Sequence, residues 1–502
     1  MALLLCTHLG RRHWHLIWRL ILGTAALILL YHDSYLPGIS QIMAQKNNLQ
    51  EFSFNYVLNF LWDFVSLPMI FSFCGVLLAT FFLRAYIRVT SVIFLTFAWL
   101  GATHLYQIIN PEKETEEIAA ASAAGAVCQT AGTAQSGDIP PMTDVPNSRN
   151  IESYVTRFFE AEAGRRTAMP DALAPGFVPF DIIILNVCSL SRDDIRYSRM
   201  ENHPVFQKFD LSFEHFNGAT SYSVPASLRL LRASCGQQTE SEMYSGRRPE
   251  CELLNNLAAY GFSTSVFLDH NGVYGDYLAS LKSLAGLVTE PREQELLKIA
   301  YRSFDGSPVY SDAALFDQYM NTVAKRPTYG NVSFFNLISL HDGNHGEEEK
   351  RTAAYEPRLS RLLDDLDRFT DSLEASRRNV LFILVPEHGA AIQGDKMQIA
   401  KLREISTDRI TELPVYVRFF GKERQEKQIR LQGHHSYLAL SEIIARAIGN
   451  NMYSPESGDI RDHLEKLPET APVSESTNAF FIRYRDRGYF KLKGGDWAPY
   501  VY

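Results

Sequence analysis

Hydrophobic patterning divides the chain at about residue 110. Before that point apolar residues run almost unbroken. Stretches 14–31, 66–83 and 86–105 are each long enough to cross about 30 Å of hydrocarbon as a helix. The first also resembles a signal peptide, because Arg11 and Arg12 precede it. It continues to Tyr31 and meets His32 and Asp33 without a small-residue cleavage site, so a retained helix is expected. Val57, Leu58, Leu61, Phe64 and Val65 recur at helical spacing beside Tyr56 and Trp62. That pattern suits a helix lying in the membrane interface, or the early part of the second span. Residues 109–150 are rich in Glu, then in Ala, Gly, Ser and Thr, and reach Pro140, Pro141 and Pro146. Such a composition cannot form a core and predicts a flexible tether.

From residue 151 to 502 the pattern changes. Apolar β-rich runs at 180–187, 262–268, 332–340, 380–385 and 415–420 alternate with helical patterns that include 253–260, 313–323, 359–373 and 438–448. Continuous apolar strands between amphipathic helices predict an α/β domain, with a largely parallel sheet covered by helices on both faces. Ligands of such sheets collect beyond the carboxyl ends of the strands. No internal repeat is present.

Charge refines this organisation. Lys and Arg number 49 against 57 Asp and Glu, a net charge of −8 over 502 residues, so there is no basic field for nucleic acid. Hydrophobic content of 46% and charged content of 21% exclude a disordered or fibrous chain. Arg11, Arg12 and Arg19 lie before or early in the first span, and Arg84 and Arg88 lie between the second and third. The 32–65 loop holds only Lys46. The positive-inside rule therefore sets a multi-pass region, 1–108, with its N-terminus in the cytoplasm and everything after about residue 108 outside.

Several expected strand ends carry reactive groups. The first runs into Cys188, which reads either as a small buried hydrophobe or as a ligand. The 380–385 strand is followed by Glu387 and His388, oxygen and nitrogen donors of the kind zinc accepts, although such a dipeptide also occurs simply solvated. The 332–340 strand leads to His341, Asp342 and His345. Ser223 precedes Pro225 at a loop-to-helix turn, where it reads as a structural cap or as a nucleophile whose alkoxide and phosphate the helix dipole stabilises. A zinc held by Cys188, Glu387 and His388 would lower the pKa of that hydroxyl.

Together these residues resemble a known family. Asn186 through Ser191, Ala219 through Ser223, Arg229 through Gln237, Phe304 through Tyr310, Leu340 through His345, Val385 through Gly389 and Gly494 through Trp497 resemble the motifs of bacterial cellulose phosphoethanolamine transferases, in the alkaline-phosphatase-like superfamily. The resemblance implies zinc-dependent transfer of phosphoethanolamine from phosphatidylethanolamine to cellulose. The reaction would lie outside the inner membrane, in the periplasm, beside subunits of a cellulose synthase complex. It implies Ser223 as nucleophile and metal neighbour, Cys188, Glu387 and His388 as zinc ligands, and Tyr222, His341 and Arg403 at the substrate site. Val224 and Arg192 depart from the family pattern, which has glycine and an aromatic there. His434 and His435 lie outside it and read as a solvated loop, against an approach of either to the metal or substrate. The alternatives are transfer to lipid A or another glycan, a hydrolase of the same superfamily, or a non-catalytic scaffold of the synthase. With Cys188 taken by the metal and Cys128 in the tether, Cys235 and Cys251 are left as the expected disulfide, against two reduced thiols.

Overall fold

The computed structural model describes residues 145–346, 352–464 and 466–502, with six isolated positions before them: Thr24, Phe71, Cys74, Gly75, Leu78 and Trp99. Apart from those six, the expected spans, the 56–65 helix and the tether up to residue 144 lie outside the described residues. Among the described residues no helix is long and apolar enough to cross a membrane.

The strands are β1 (Asp181–Val187), β2 (Leu211–Phe216), β3 (Ser263–Leu268), β4 (Ile299–Arg302), β5 (Pro308–Tyr310), β6 (Asn331–Leu337), β7 (Val380–Leu384), β8 (Tyr416–Phe420), β9 (Ile429–His435), β10 (Val473–Glu475), β11 (Ala479–Tyr484), β12 (Arg487–Leu492) and β13 (Ala498–Pro499). The principal helices are α1 (Ser148–Ala163), α2 (Ser223–Leu231), α3 (Leu253–Ala258), α4 (Tyr277–Ala285), α5 (Asp312–Thr322), α6 (Tyr355–Ser376) and α7 (Tyr437–Gly449).

A seven-stranded sheet in the order β3-β6-β1-β7-β8-β2-β9 forms the centre. All its strands run parallel except β8, which is antiparallel to both β7 and β2. β1, β6 and β7 are buried along their whole length, the expected consequence of helices on both faces. Alternation sends Ile182 and Ile184 into one core, with Leu228 of α2, Leu281 of α4 and Ile444 of α7. Ile183, Leu185 and Val187 enter the other, with Phe316 of α5 and Leu366 and Phe369 of α6. Each face thus fills with its own large apolar side chains, the packing that fixes strand position.

The expected runs match β1, β3, β6, β7 and β8 within a few residues, β6 ending at Leu337 rather than at 340. β2 and β9 escape that pattern because polar residues such as Glu214, Gln432 and His434 interrupt them. His434 and His435 accordingly lie in an outer strand, not in a loop. The small antiparallel sheet β10-β11-β12-β13 was also unexpected: β10 and β13 are three and two residues long, and Arg487, Gly488 and Lys491 break the apolar pattern of β12. Val473, Ile482, Tyr489 and Trp497 from this sheet region pack on Ile151, Val155 and Phe158 of α1. A capping box at Asn147 and Asn150 starts α1 inside the last residues of the expected tether.

Cys235 and Cys251 are disulfide-bonded, with Cα atoms 5.0 Å apart. The bridge lies beyond the carboxyl end of α2 and just before α3, so it closes a short loop around the far end of the helix that carries Ser223. Chain entropy assigns such a loop about 3 kcal/mol. Cys251→Ser is therefore expected to lower the unfolding free energy by roughly that amount in denaturant titration under oxidising conditions. An unchanged midpoint and slope would remove the bridge from the account.

Candidate metal and nucleophile centre

Cys188, Glu387 and His388 meet at the carboxyl edge of the sheet because backbone bonds extend the β-ladder past the strand ends. Cys188 N–H donates to Leu337 O at 2.8 Å, Glu387 N–H to Val187 O at 2.8 Å, and Leu190 N–H to His388 O at 2.7 Å. All three side chains are fully buried, and their possible ligand atoms lie within 4.8 Å of one another.

Each donor is prepared for a cation. His388 Nδ1 is 2.9 Å from Gly389 O; a carbonyl only accepts, so Nδ1 carries the proton and Nε2 keeps its lone pair. Burial and the Arg403 charge hold His388 well below the usual imidazole range, hence neutral. Glu387 Oε1 accepts from Asn336 Nδ2 at 2.6 Å and lies 3.3 Å from the donating Ser227 hydroxyl. Its Oε2 makes no hydrogen bond and stands 3.7 Å from His388 Nε2. Burial raises the Glu387 carboxyl, its polar neighbours offsetting only part of that shift. Burial, then the Glu387 charge, pushes the Cys188 thiol up. A sulfur, a carboxylate oxygen and a neutral imidazole nitrogen, with one orphaned carboxylate oxygen among them, fit a zinc ion.

Ser223 completes the centre. Its hydroxyl is 3.5 Å from Cys188 Sγ and 3.4 Å from His388 Nε2, and it is half-buried where the three ligands are closed. It is the first residue of α2, and the cap residue is Tyr222, which makes no side-chain cap bond. The first intrahelical bond is Ala226 N–H to Tyr222 O, and Pro225 has no N–H. The amides of Ser223 and Val224 therefore lie ahead of the helical ladder, at the positive end of the dipole. The hydroxyl is thus turned to the cluster rather than used to cap the helix.

The other expected site residues surround it. Arg403 Nη1 lies 3.4 Å from His388 Nδ1 and 3.5 Å from Ser189 Oγ, with its guanidinium 5.7 Å from the centre of the Tyr222 ring. His341 Nδ1 is 2.6 Å from Asp342 O, which leaves Nε2 unprotonated. Burial and the charge of Arg403 lower its pKa to about 4. His345 stays outside the metal group, with Nδ1 2.9 Å from Gly346 O. His434 stacks on His215 at 4.8 Å and His435 Nδ1 is 3.0 Å from Pro468 O. β9 is separated from β7 by β8 and β2, so neither histidine reaches the cluster.

The sequence pattern assigned no role to the residues behind Glu387. Asn186 and Asn336 are register partners on β1 and β6, and Asn336 Nδ2 bridges Asn186 Oδ1 at 3.0 Å and Glu387. Ser227 joins both, and its hydroxyl is 2.8 Å from that of Tyr277. The available signal was an asparagine inside each of two largely apolar runs, because a buried amide needs fixed partners.

The family model described as cellulose biosynthesis protein BcsG C-terminal domain matches residues 135–497, and that of the BcsG N-terminal domain matches residues 1–102. Cellulose biosynthesis protein BcsG of Salmonella typhimurium is 38% identical over 497 residues, 97% of this chain and 88% of that protein. The Escherichia coli protein of the same name is 35% identical over the same shares. A protein in the alkaline phosphatase superfamily from Vibrio parahaemolyticus superposes with a TM-score of 0.47 at 12% identity, covering 69% of this chain and 90% of that one.

Because His388 is already neutral, zinc uptake should expel the Cys188 proton, and apparent affinity should fall as pH falls. Cys188→Ala is expected to lose most bound zinc by elemental analysis, while His345→Ala keeps the wild-type amount. Equal zinc in Cys188→Ala and wild type would refute the ligand set.

Proposed function

The chain belongs to the cellulose biosynthesis protein BcsG family, and from that premise we propose that it is a zinc-dependent phosphoethanolamine transferase. In this reading it is an alkaline-phosphatase-like enzyme that moves phosphoethanolamine from phosphatidylethanolamine to glucose hydroxyls of cellulose. It acts from the periplasmic side of the inner membrane, anchored by the apolar region 1–108 beside the synthase subunits. The observation that carries the reading is the Ser223 hydroxyl, set at a helix N-terminus and against the Cys188, Glu387 and His388 cluster.

Cys188, Glu387 and His388 would hold the zinc, whose positive charge would lower the pKa of the Ser223 hydroxyl and offset charge on the phosphoryl oxygens. Ser223 Oγ attacks phosphorus, and the bond from phosphorus to the diacylglycerol oxygen breaks. The proton from Ser223 leaves with diacylglycerol, and the headgroup remains on the serine. A glucose hydroxyl then attacks phosphorus, the bond to Ser223 Oγ breaks, and Ser223 regains a proton as the glucose oxygen loses one. His341, with Nδ1–H held by a backbone carbonyl and Nε2 free, is the group suited to pass that proton. The amides of Ser223 and Val224 and the guanidinium of Arg403 face the anionic oxygens. Burial of the three ligands excludes water from the metal side, which leaves Ser223 as the approach.

Incubation with phosphatidylethanolamine, with no acceptor present, should add one phosphoethanolamine mass to the peptide containing Ser223. Ser223→Ala should abolish the adduct and keep the fold, since the side chain caps no helix. An adduct on Thr220 or Ser221 would contradict the assignment, and decoration of cellulose by Ser223→Ala would favour a scaffold.

A further inference from the structure

Beside the nucleophile lies a carboxylate that the transfer steps do not use. The Tyr222 hydroxyl donates to Glu404 Oε1 at 2.8 Å, and Asn478 Nδ2 donates to Oε2 at 3.2 Å. Both donors are neutral. The adjacent guanidinium of Arg403 turns to Ser189 and His388 across the Tyr222 ring, and among the described residues Glu404 forms no ion pair. Its acidic neighbours differ in this respect. Glu475 pairs with Lys493 at 3.2 Å, and Glu240 and Glu475 both lie in the field of the buried Arg229.

Glu404 and Tyr222 are only half-buried, so a ligand seated on Ser223 can reach them. The geometry therefore sets a cation and an anion side by side next to the nucleophile, with an aromatic ring between them.

We propose that Glu404 and the face of Tyr222 hold the ammonium group of the headgroup while Arg403 faces its phosphoryl group. Adjacent residues then read the two opposite charges of a zwitterion. This rests on the transferase reading above. An ammonium between a carboxylate and an aromatic face gains a charge-assisted hydrogen bond and a cation–π contact. The Tyr222 bond need not break, because a carboxylate has further lone pairs. The two-carbon arm keeps the ammonium near the phosphorus, so one subsite serves both the lipid donor and the serine-bound intermediate. A phosphoglycerol headgroup of similar length would leave Glu404 without a counter-charge, which makes Glu404 a specificity determinant.

The test is a competition. Full-length protein in detergent micelles receives equimolar dioleoyl phosphatidylethanolamine and dioleoyl phosphatidylglycerol, and the two adduct masses on the Ser223 peptide are counted at early times. Wild type should carry mostly phosphoethanolamine. Glu404→Gln should lower the ratio of phosphoethanolamine to phosphoglycerol roughly tenfold, the weight of one charged contact, with zinc content at the wild-type level. Glu404→Asp should recover part of the ratio. A ratio unchanged in Glu404→Gln overturns the proposal while the transferase reading stands. Absence of any adduct in wild type removes that reading, and the proposal with it.

Discussion

The hydrogen bond from Asn336 to Glu387 Oε1, 2.6 Å long and closed to water, is the constraint on which the centre depends. A carboxylate buried without partners costs several kcal/mol. Satisfying one oxygen and leaving the other bare turns that cost into directionality, because Oε2 is then held toward Cys188 and His388. The bond also reports the fold. It exists only if β1 and β6 pair with Asn186 opposite Asn336, if β7 lies on the other side of β1, and if α2 packs so that Ser227 meets Asn186. A slip of one residue in either strand would point an asparagine into the opposite core. Register of the sheet and geometry of the Cys188, Glu387 and His388 cluster are therefore a single requirement.

Electrostatics then divides the site. His388 and His341 are both neutral, each with Nδ1–H committed to a backbone carbonyl and the lone pair left on Nε2. Burial and the charge of Arg403 keep them so. In the proposed reaction the same guanidinium would be the local positive charge for a phosphoryl group. Across Tyr222 the sign reverses at Glu404. Helix α2 joins these halves: Ser223 and Tyr222 stand at its start, Ser227 one turn further on, and the disulfide beyond its other end.

Much of this was legible from residue order. Strands buried over most of their length announce themselves as apolar runs, so β1, β3, β6, β7 and β8 could be read, and with them the edge where Cys188, His341, Glu387 and His388 gather. β2, β9 and the β10–β13 sheet could not, because Glu214 and His215 in β2, the alternating exposure of β9 and the three-residue length of β10 give mixed patterns that resemble loops. That is why His434 was expected in a loop. Ser223 read as cap or nucleophile from residue order; in the structure its hydroxyl lies 3.5 Å from Cys188 Sγ and the cap position belongs to Tyr222. Asn336, Ser227 and Glu404 were missed for a different reason: their meaning lies in partners 51, 160 and 182 positions away along the chain, which no local pattern encodes.

The central claim is that the Ser223 centre transfers phosphoethanolamine to cellulose. Solid-state carbon and phosphorus NMR of cellulose made by cells with wild-type protein, with Ser223→Ala and without the protein tests it directly. Ethanolamine carbons and a phosphodiester signal coupled to glucose carbons in the first sample alone are the predicted result. The same signals in the Ser223→Ala polymer, or an undecorated wild-type polymer, would contradict it.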